Sequence, residues 1–468
     1  MTENDKRKIS LRTKLAFACG EVGDNMALNT FTFLIFTFYF TVVRIPSPIM
    51  TLGFVVWALW NAFNDPLIGY LSDKTKTKWG RRIPWMIGAT IPLGVLTILL
   101  FTPPSTYIQD ESVFIYFFII LILFDIAYTS FNLNYNALFS EMFVEMRERS
   151  ATGRIRIIFV LIATMFALVF PTLVIEDITN QDPITYPNTS LQYLISGIVA
   201  AVVIFIFYFI ILKWGVRDPK HISKDAESAM SFINTLKFTF KHKSFLLFLF
   251  PALGTWLVIN ILPTLSPLFF TYAVGLTDTE LIGILLMVMF LVSAISTPLW
   301  EWIRVRKGAR MCGLIGIVLF LVSVLLFAYS SDFMMAMIFM IFLGVGLGGG
   351  LYFYDQCIAE IIDEDEITYG VRRSGIYYAV LNFLIRLSMI LNFVIINLVF
   401  TSTDWMNYEP NPGADPILGL RILMGIYPAI VLAISLIGMY YYPIKGERLR
   451  ENRKKLTELH DEKISSMN

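Results

Sequence analysis

Apolar residues along this chain come in long blocks separated by short polar stretches. The blocks fall at about 15–43, 47–71, 84–102, 112–139, 155–176, 191–213, 245–275, 279–302, 311–330, 333–361, 375–401 and 417–443. Each is close to or longer than the roughly 20 residues a helix needs to cross about 30 Å of hydrocarbon. Lipid offers a backbone no hydrogen-bond partner, so each block must be a helix. The strands of a membrane barrel would alternate with period two, and these blocks do not. The pattern therefore predicts an all-α membrane protein with twelve transmembrane helices. Blocks one, four, seven and ten exceed the minimum length, which leaves room for tilt.

The polar connections carry the orientation. Placing both termini in the cytoplasm puts 34 of the 37 Lys and Arg residues in inside segments; the exceptions are Arg44, Arg386 and Arg421. That asymmetry is the positive-inside pattern, and it requires an even number of helices. The longest inside connection, 214–244, divides the chain into a short N-terminus (1–14), two six-helix halves (15–213 and 245–443) and a cytoplasmic tail (444–468). Within the connection, Ser231 to Phe245 is a basic amphipathic stretch. It reads either as a helix lying on the inner leaflet or as a plain linker helix. The start of the chain, Thr2 to Thr13, is polar and does not read as a secretory signal peptide.

Composition narrows the function. The chain has 468 residues, 56% apolar and only 16% charged, with mean hydropathy +0.66. A soluble chain would carry roughly a quarter charged residues. Cys19, Cys312 and Cys357 lie far apart in or beside apolar blocks, and His221, His242 and His460 fall in polar segments. They offer no metal spacing, no disulfide framework and no histidine relay inside the membrane. No phosphate-binding loop of the Gly-x-x-x-x-Gly-Lys-Ser/Thr type is present, so the chain does not use ATP by itself. No nucleophile or metal constellation gathers at one depth, so an enzyme is not expected. A sensor would need a signalling domain, and a polar tail of about 25 residues is too short for one. The expected partners are the bilayer and a small solute, not nucleic acid, and a monomer suffices.

Three motifs carry a resemblance. The first runs Trp60-Asn-Ala-Phe-Asn-Asp65-Pro-Leu-Ile-Gly69-Tyr-Leu-Ser-Asp73, then Trp79-Gly-Arg81-Arg82-Ile-Pro84-Trp85. The second is Asp363-Glu-Asp-Glu366 followed by Arg372-Arg-Ser-Gly-Ile-Tyr377-Tyr378, and the third is Tyr128-Thr129 with Glu141-Met142. Together they resemble the glycoside–pentoside–hexuronide:cation symporters, the melibiose permease family, over roughly residues 14–440. Plant sucrose carriers and animal lysolipid carriers are more distant relatives. The resemblance implies a major facilitator fold, which is built from two parallel six-helix repeats. Ala137 to Glu141 followed by Arg147 and Arg149, and Ile358 to Glu360 followed by Arg372 and Arg373, look like corresponding ends of helices four and ten. Asp73, Arg81 and Arg82, with Glu141, Arg149, Glu360, Arg372 and Arg373, would form an inner gate whose salt bridges to the opposite half break when the inside opens. The plainer reading is that the basic residues merely hold the loops inside, and both can apply.

Ionisable residues at mid-membrane mark function by default, because each costs at least roughly 2.5–3.5 kcal/mol to insert. They are Glu21, Asp24, Asp65, Asp125, Asp355 and Arg386. Asn61 and Asp65 share one face of helix two, and Pro66 frees a backbone carbonyl beside them. Hard cations such as sodium take carboxylate, hydroxyl and carbonyl oxygens. The resemblance places the cation site on two carboxylates at the positions of Asn61 and Asp65, with Thr129. Here one carboxylate has become Asn61. Asp125, one turn before Thr129, can supply it, giving a set of Asp65, Asp125, Thr129 and Asn61. Otherwise a lone desolvated Asp65 favours a proton, and Asp125 serves only the bundle.

For the substrate, the resemblance implies a helix-one acid at Asp24 or Asn25, a helix-four position at Asn132, an aromatic position at Asn136 beside Tyr135, a helix-five Arg156 and a helix-eleven cation at Arg386. Asn132 and Asn136 depart from the family pattern, which argues against the same galactoside specificity. Glu21 is an extra acid one turn from Asp24. Trp256, Asn260, Tyr354 and Asp355 are second-half cavity candidates. The expectation is sodium- or proton-coupled sugar or glycoside symport at the inner membrane, with no other cofactor; a lysolipid or other small solute is the alternative.

Overall fold

The computed structural model describes residues 9–104, 111–143, 145–182, 184, 187–217, 238–370 and 374–465. The described residues are helical apart from short connections and one isolated bridge, Thr77 to Gly80. The first half holds α1 (Leu11–Thr37, continued by a π turn Phe38–Val42), α2 (Ser47–Lys74), α3 (Ile83–Leu99), α4 (Glu111–Met142), α5 (Met146–Val174) and α6 (Thr189–Ile210, continued by Ile211–Gly215). The second holds α7 (Lys243–Leu268, continued by Phe269–Val274), α8 (Thr279–Ile295), α9 (Thr297–Ala328), α10 (Phe333–Tyr369), α11 (Ser374–Ser402) and α12, in three pieces (Ala414–Arg421, Ile422–Ile426 and Tyr427–Tyr441). A tail helix, α13 (Gly446–Ser465), follows.

Among the described residues nine stretches are long and apolar enough to cross a membrane, and one of them, Thr279–Ala328, is 50 residues long. That length is two passes. The chain reverses at Gly308, whose φ of 83° is open to glycine at little cost. The apolar pattern placed helix eight at 279–302. The helix in fact bends at Ser296 and runs on toward Gly308, because Pro298 cannot donate to the carbonyl of Ala294. α2 is long enough to span but is diluted by Asn61, Asn64, Asp65 and Asp73, and α3 has only 17 residues.

The packing repeats with an offset of six helices. α1 meets α5 and α6 as α7 meets α11 and α12; α2 meets α4 as α8 meets α10; α3 meets α4 and α6 as α9 meets α10 and α12. Contacts between the halves obey the same rule, with α2 on α11, α5 on α8 and α1 on α7. Two copies of one six-helix unit related by a pseudo-twofold axis produce this pattern.

The halves close at the end remote from the termini. Phe40 packs on Phe400, Trp405 and Tyr408, and Phe54 stacks on Phe393 at 4.1 Å. Tyr272 and Tyr408 share a hydrogen bond of 2.8 Å, and Tyr408 donates to the carbonyl of Thr179. Thr279 Oγ1 donates to the carbonyl of Glu176 at 2.8 Å. α5 and α8 come so close that a Cβ on Gly283 would sit 2.0 Å from Thr172 Oγ1.

At the opposite end α10 runs eight residues beyond the expected 361, so Asp363-Glu-Asp-Glu366 is helical where a loop was expected. Partners hold the buried acids there. Glu364 accepts from Ser244 Oγ at 2.6 Å and from Arg448 of α13 at 2.8 Å, and Asp365 accepts from Tyr377 at 3.0 Å. His242 Nε2 stands 3.8 Å from Glu364. Gly370, at φ 73°, ends the helix. The tail is thus a docked helix. Most of the amphipathic stretch Ser231 to Phe245 lies outside the described residues.

Gly283→Val should lower the melting temperature of the purified protein, at a cost of about 1–3 kcal/mol, because the α5–α8 approach leaves no room for side chain; an unchanged melting curve would refute the close contact. Burial holds the His242 imidazole below its usual range, against the opposing pull of Glu364 and Asp365 and with help from Arg448. The unfolded chain then takes up the proton first, so stability is complete above about pH 6.5 and falls as the pH drops through that value. Thermal melts from pH 7.5 to 5 should show that loss, and His242→Gln should flatten it.

Candidate cation and substrate site

Two polar clusters form inside the membrane-spanning bundle. The first lies between α2 and α4. The carboxylate of Asp125 accepts from Asn61 Nδ2 on one oxygen and from Asn64 Nδ2 at 3.0 Å on the other; Asn64 also donates to the Asp125 carbonyl at 3.2 Å. Asp125 is 2% exposed, and Asn61, Asn64 and Thr129 are buried. Asn61 and Asp65 are one turn apart as expected, while Asn64 enters from the neighbouring position and was missed. The signal was present as the pair Asn64-Asp65, which the one-turn spacing rule passed over.

The donors satisfy Asp125 but leave several oxygens uncommitted. Asn61 Oδ1, Asn64 Oδ1, Asp65 Oδ1 and Thr129 Oγ1 are all buried without a hydrogen-bond partner. Thr129 lies beside Asp65. The other oxygen of Asp65 meets Arg386 of α11 at 2.8 Å. This ion pair joins the two halves, and Arg386 acts electrostatically on Asp125 as well. Arg386, expected on the substrate side, therefore stands at the carboxylates. Buried oxygens from two amides, a hydroxyl and a carboxylate form a donor set suited to a hard cation.

The second cluster ties α1 to α4 and α5. Glu21 is paired with Arg156 and accepts from Tyr135 OH at 3.2 Å and Asn25 Nδ2 at 3.2 Å. Arg156 also donates to Asn136 Oδ1 at 2.7 Å and lies 4.3 Å over the Phe139 ring. Asp24 Oδ2 accepts from Asn132 at 2.7 Å and Tyr128 at 3.3 Å, and its Oδ1 is buried without a partner. Of the two helix-one candidates, Asp24 meets Asn132, and Asn25 folds back on Glu21. These residues form one hydrogen-bonded surface of alternating donors and acceptors.

The second-half candidates are spread out. Asn260 donates to the carbonyl of Trp256 at 2.7 Å, and Trp256 meets Tyr354 edge-on at 6.0 Å. Asp355 is exposed on α10. Asn260 and Thr264 line a tight, mainly apolar crevice between the halves, with about 20 Å³ of free space, room for about one water, walled by Phe31, Trp57, Asn392 and Phe393.

Gate candidates in the first half form a knot. Glu141 binds Arg81 at 2.7 Å and Arg82 at 2.9 Å; Asp73 binds Arg82 at 3.0 Å and Arg81 at 3.7 Å. These described pairs lie within the first half. Arg149 donates to the carbonyls of Ser140 and Phe143, both at 3.0 Å, bracing the α4–α5 turn. Glu360 meets Tyr442 at 3.5 Å. Arg372 and Arg373 lie outside the described residues.

With this geometry in place, the family can be stated. The MFS/sugar transport protein family matches residues 16–446. The chain belongs to that family. It is similar to a sodium-dependent lysophosphatidylcholine symporter of Mus musculus, 25% identical over 98% of this chain and 91% of that one. It is also similar to a glucuronide carrier protein homolog of Escherichia coli, 23% identical over 96% of this chain and 97% of the other. Among solved structures, a D-xylose-proton symporter shares the fold with TM-score 0.66 at 12% identity, over 92% of this chain and 96% of that one. The nucleoside transporter NupG does so at 0.64 and 15%, over 92% and 100%. The chain is a multi-pass membrane transporter of the major facilitator type, with symporters among its relatives, and not an enzyme.

Arg156→Met should cost about 3–5 kcal/mol of stability by stranding buried Glu21 without its cation. Combining it with Glu21→Gln should recover most of that loss. Thermal melts of both variants check this, and additive losses would argue that the pair is not coupled.

Proposed function

We propose that the protein is a cation-coupled symporter of a sugar or glycoside in the cytoplasmic membrane. It would have twelve passes, both termini inside, and halves 15–213 and 245–443 joined by the cytoplasmic segment 214–244. The observation that carries this reading is the α2–α4–α11 cluster. It holds two carboxylates, Asp65 and Asp125, and uncommitted oxygens of Asn61, Asn64 and Thr129, under a guanidinium from the other half.

A cation entering these oxygens competes with Arg386 for Asp65. Releasing Arg386 loosens the tie between α2 and α11, and frees a charge for the solute. Cation binding and halves movement are thereby linked, which is what symport requires: each ligand alters the affinity for the other. Asp125 supplies the carboxylate absent at Asn61, so sodium is the coupling ion this donor set favours. A proton on Asp65 would also neutralise that carboxylate and free Arg386, and is the competing assignment. The solute's hydroxyls would meet Asp24, Asn132 and Asn136, with Glu21 and Arg156 fixing their geometry. Asp73, Arg81, Arg82 and Glu141 would form a first-half gate module braced by Arg149, and Glu360, Arg372 and Arg373 are the second-half candidates for the gate.

The apolar crevice favours a second reading, an amphiphile such as a lysolipid, whose chain would lie against Phe31, Trp57 and Phe393. The mouse relative points the same way. A polar surface on α1 and α4, together with the apolar crevice once it widens, would suit either a glycoside with an apolar aglycone or a lysolipid headgroup and chain.

Uptake into proteoliposomes under an imposed sodium or proton gradient separates these readings. A panel of labelled sugars, glycosides and lysophosphatidylcholine should show gradient-driven uptake of a sugar or glycoside. Asp65→Asn should abolish it, and Asp125→Asn should reduce it at least about tenfold, the loss of one charged ligand. Uptake of the lysolipid alone would replace the sugar reading, and uptake unaffected by either substitution would remove the cation site.

A further inference from the structure

A second charged site lies far from the central cluster, where the reversal at Gly308 within α9 faces the start of α13. An open groove of about 1230 Å³, solvent included, is lined there by Arg306, Lys307 and Arg310 from one side and by Lys445 and Arg450 from the other, against the single acid Glu447. Arg304 and Arg453, at its inner edge, act on Glu360 in the adjoining cavity. Glu360 therefore leaves the outer cations uncompensated. Among the described residues, Lys307, Lys445 and Arg450 make no ion pair with this chain. Like charges gathered in one groove repel each other, and an anion removes that cost.

The groove is also amphipathic. Arg306 lies 4.2 Å over the Trp302 ring and Arg310 lies 5.5 Å over the Tyr440 ring. Trp302, Tyr440 and Tyr441 are all half-exposed or more, as are Val305 and Ile437, and Leu299 is exposed too. Exposed Trp and Tyr at a helix end belong to the headgroup level of a bilayer. Cations below and apolar side chains above match a phosphate with acyl chains attached. A free phosphate would use the cations and leave the apolar rim unexplained.

We propose that this groove binds the phosphate headgroup of an anionic phospholipid, holding α13 and the Gly308 reversal of α9 against the membrane surface. The test is native mass spectrometry of the full chain with phosphatidylglycerol and phosphatidylcholine of identical acyl chains. The wild type should retain phosphatidylglycerol about tenfold more than phosphatidylcholine, of the order expected for a few interfacial cations. Lys307→Gln/Lys445→Gln/Arg450→Gln should bring that ratio near one, because none of the three has an ion pair to lose. Lys76→Gln/Lys78→Gln/Lys241→Gln, which removes as many cations elsewhere, should leave it unchanged. If the triple groove variant does not fold, Lys307→Glu alone should lower the ratio. The proposal is overturned by equal retention of the two lipids, by a ratio indifferent to the groove substitutions, or by millimolar inorganic phosphate displacing phosphatidylglycerol.

Discussion

The structure depends on one ion pair placed where ion pairs are costly. Asp65 on α2 and Arg386 on α11 meet at 2.8 Å within the spanning bundle, one from each half. A charge of either sign alone at that depth would carry the penalty of leaving water. Each therefore requires the other, or a replacement of the same sign. Separating the halves along α2 and α11 would take the guanidinium away from Asp65 and leave a half-buried carboxylate without its partner.

Around this pair the fold is a duplicated scaffold. The same helix contacts recur with an offset of six, and the contacts between halves pair α2 with α11 and α5 with α8 as symmetry mates. In the state described, the end remote from the termini is shut by aromatic packing and by the close α5–α8 approach at Gly283. Such contacts are strong in aggregate and shallow individually, so they suit an end that must open and reclose. The other end is organised differently, by charge knots among the described residues: Asp73, Arg81, Arg82 and Glu141 in the first half, and Glu364 with Ser244 and the tail-helix Arg448 beside the second.

The duplicated frame is used unequally. The first half carries the polar clusters of the bundle interior, from Glu21 and Asp24 through Asp65, Asp125 and Arg156, while the buried acids of the second half, Glu364, Asp365 and Glu366, sit at the inner end of α10. The second contributes Arg386 and a largely apolar wall, including Phe393 and the α7 face around Asn260. The fold is geometrically symmetric, and the chemistry of its two halves is not.

Much of this was legible in the sequence, for a definite reason. The bilayer imposes length and internal backbone pairing on each segment, so apolar blocks predict helices, and the placement of Lys and Arg predicts the division into halves. Motif residues Trp60 to Trp85 pointed to the family. The helix-one, -four and -five polar residues were recognisable one by one because buried charge is rare in such segments. The sequence alone could not decide which of them touch. That Asn64 joins Asn61 on Asp125, that Arg386 turns to Asp65, and that Glu21 takes Arg156 depend on helix rotation and on the approach of segments hundreds of residues apart. Those are set by packing of whole helices against one another, and short-range pattern carries no record of it. The reach of α10 to Tyr369 was likewise hidden, because polar acids that read as a loop become helical once Ser244, Tyr377 and Arg448 arrive to satisfy them.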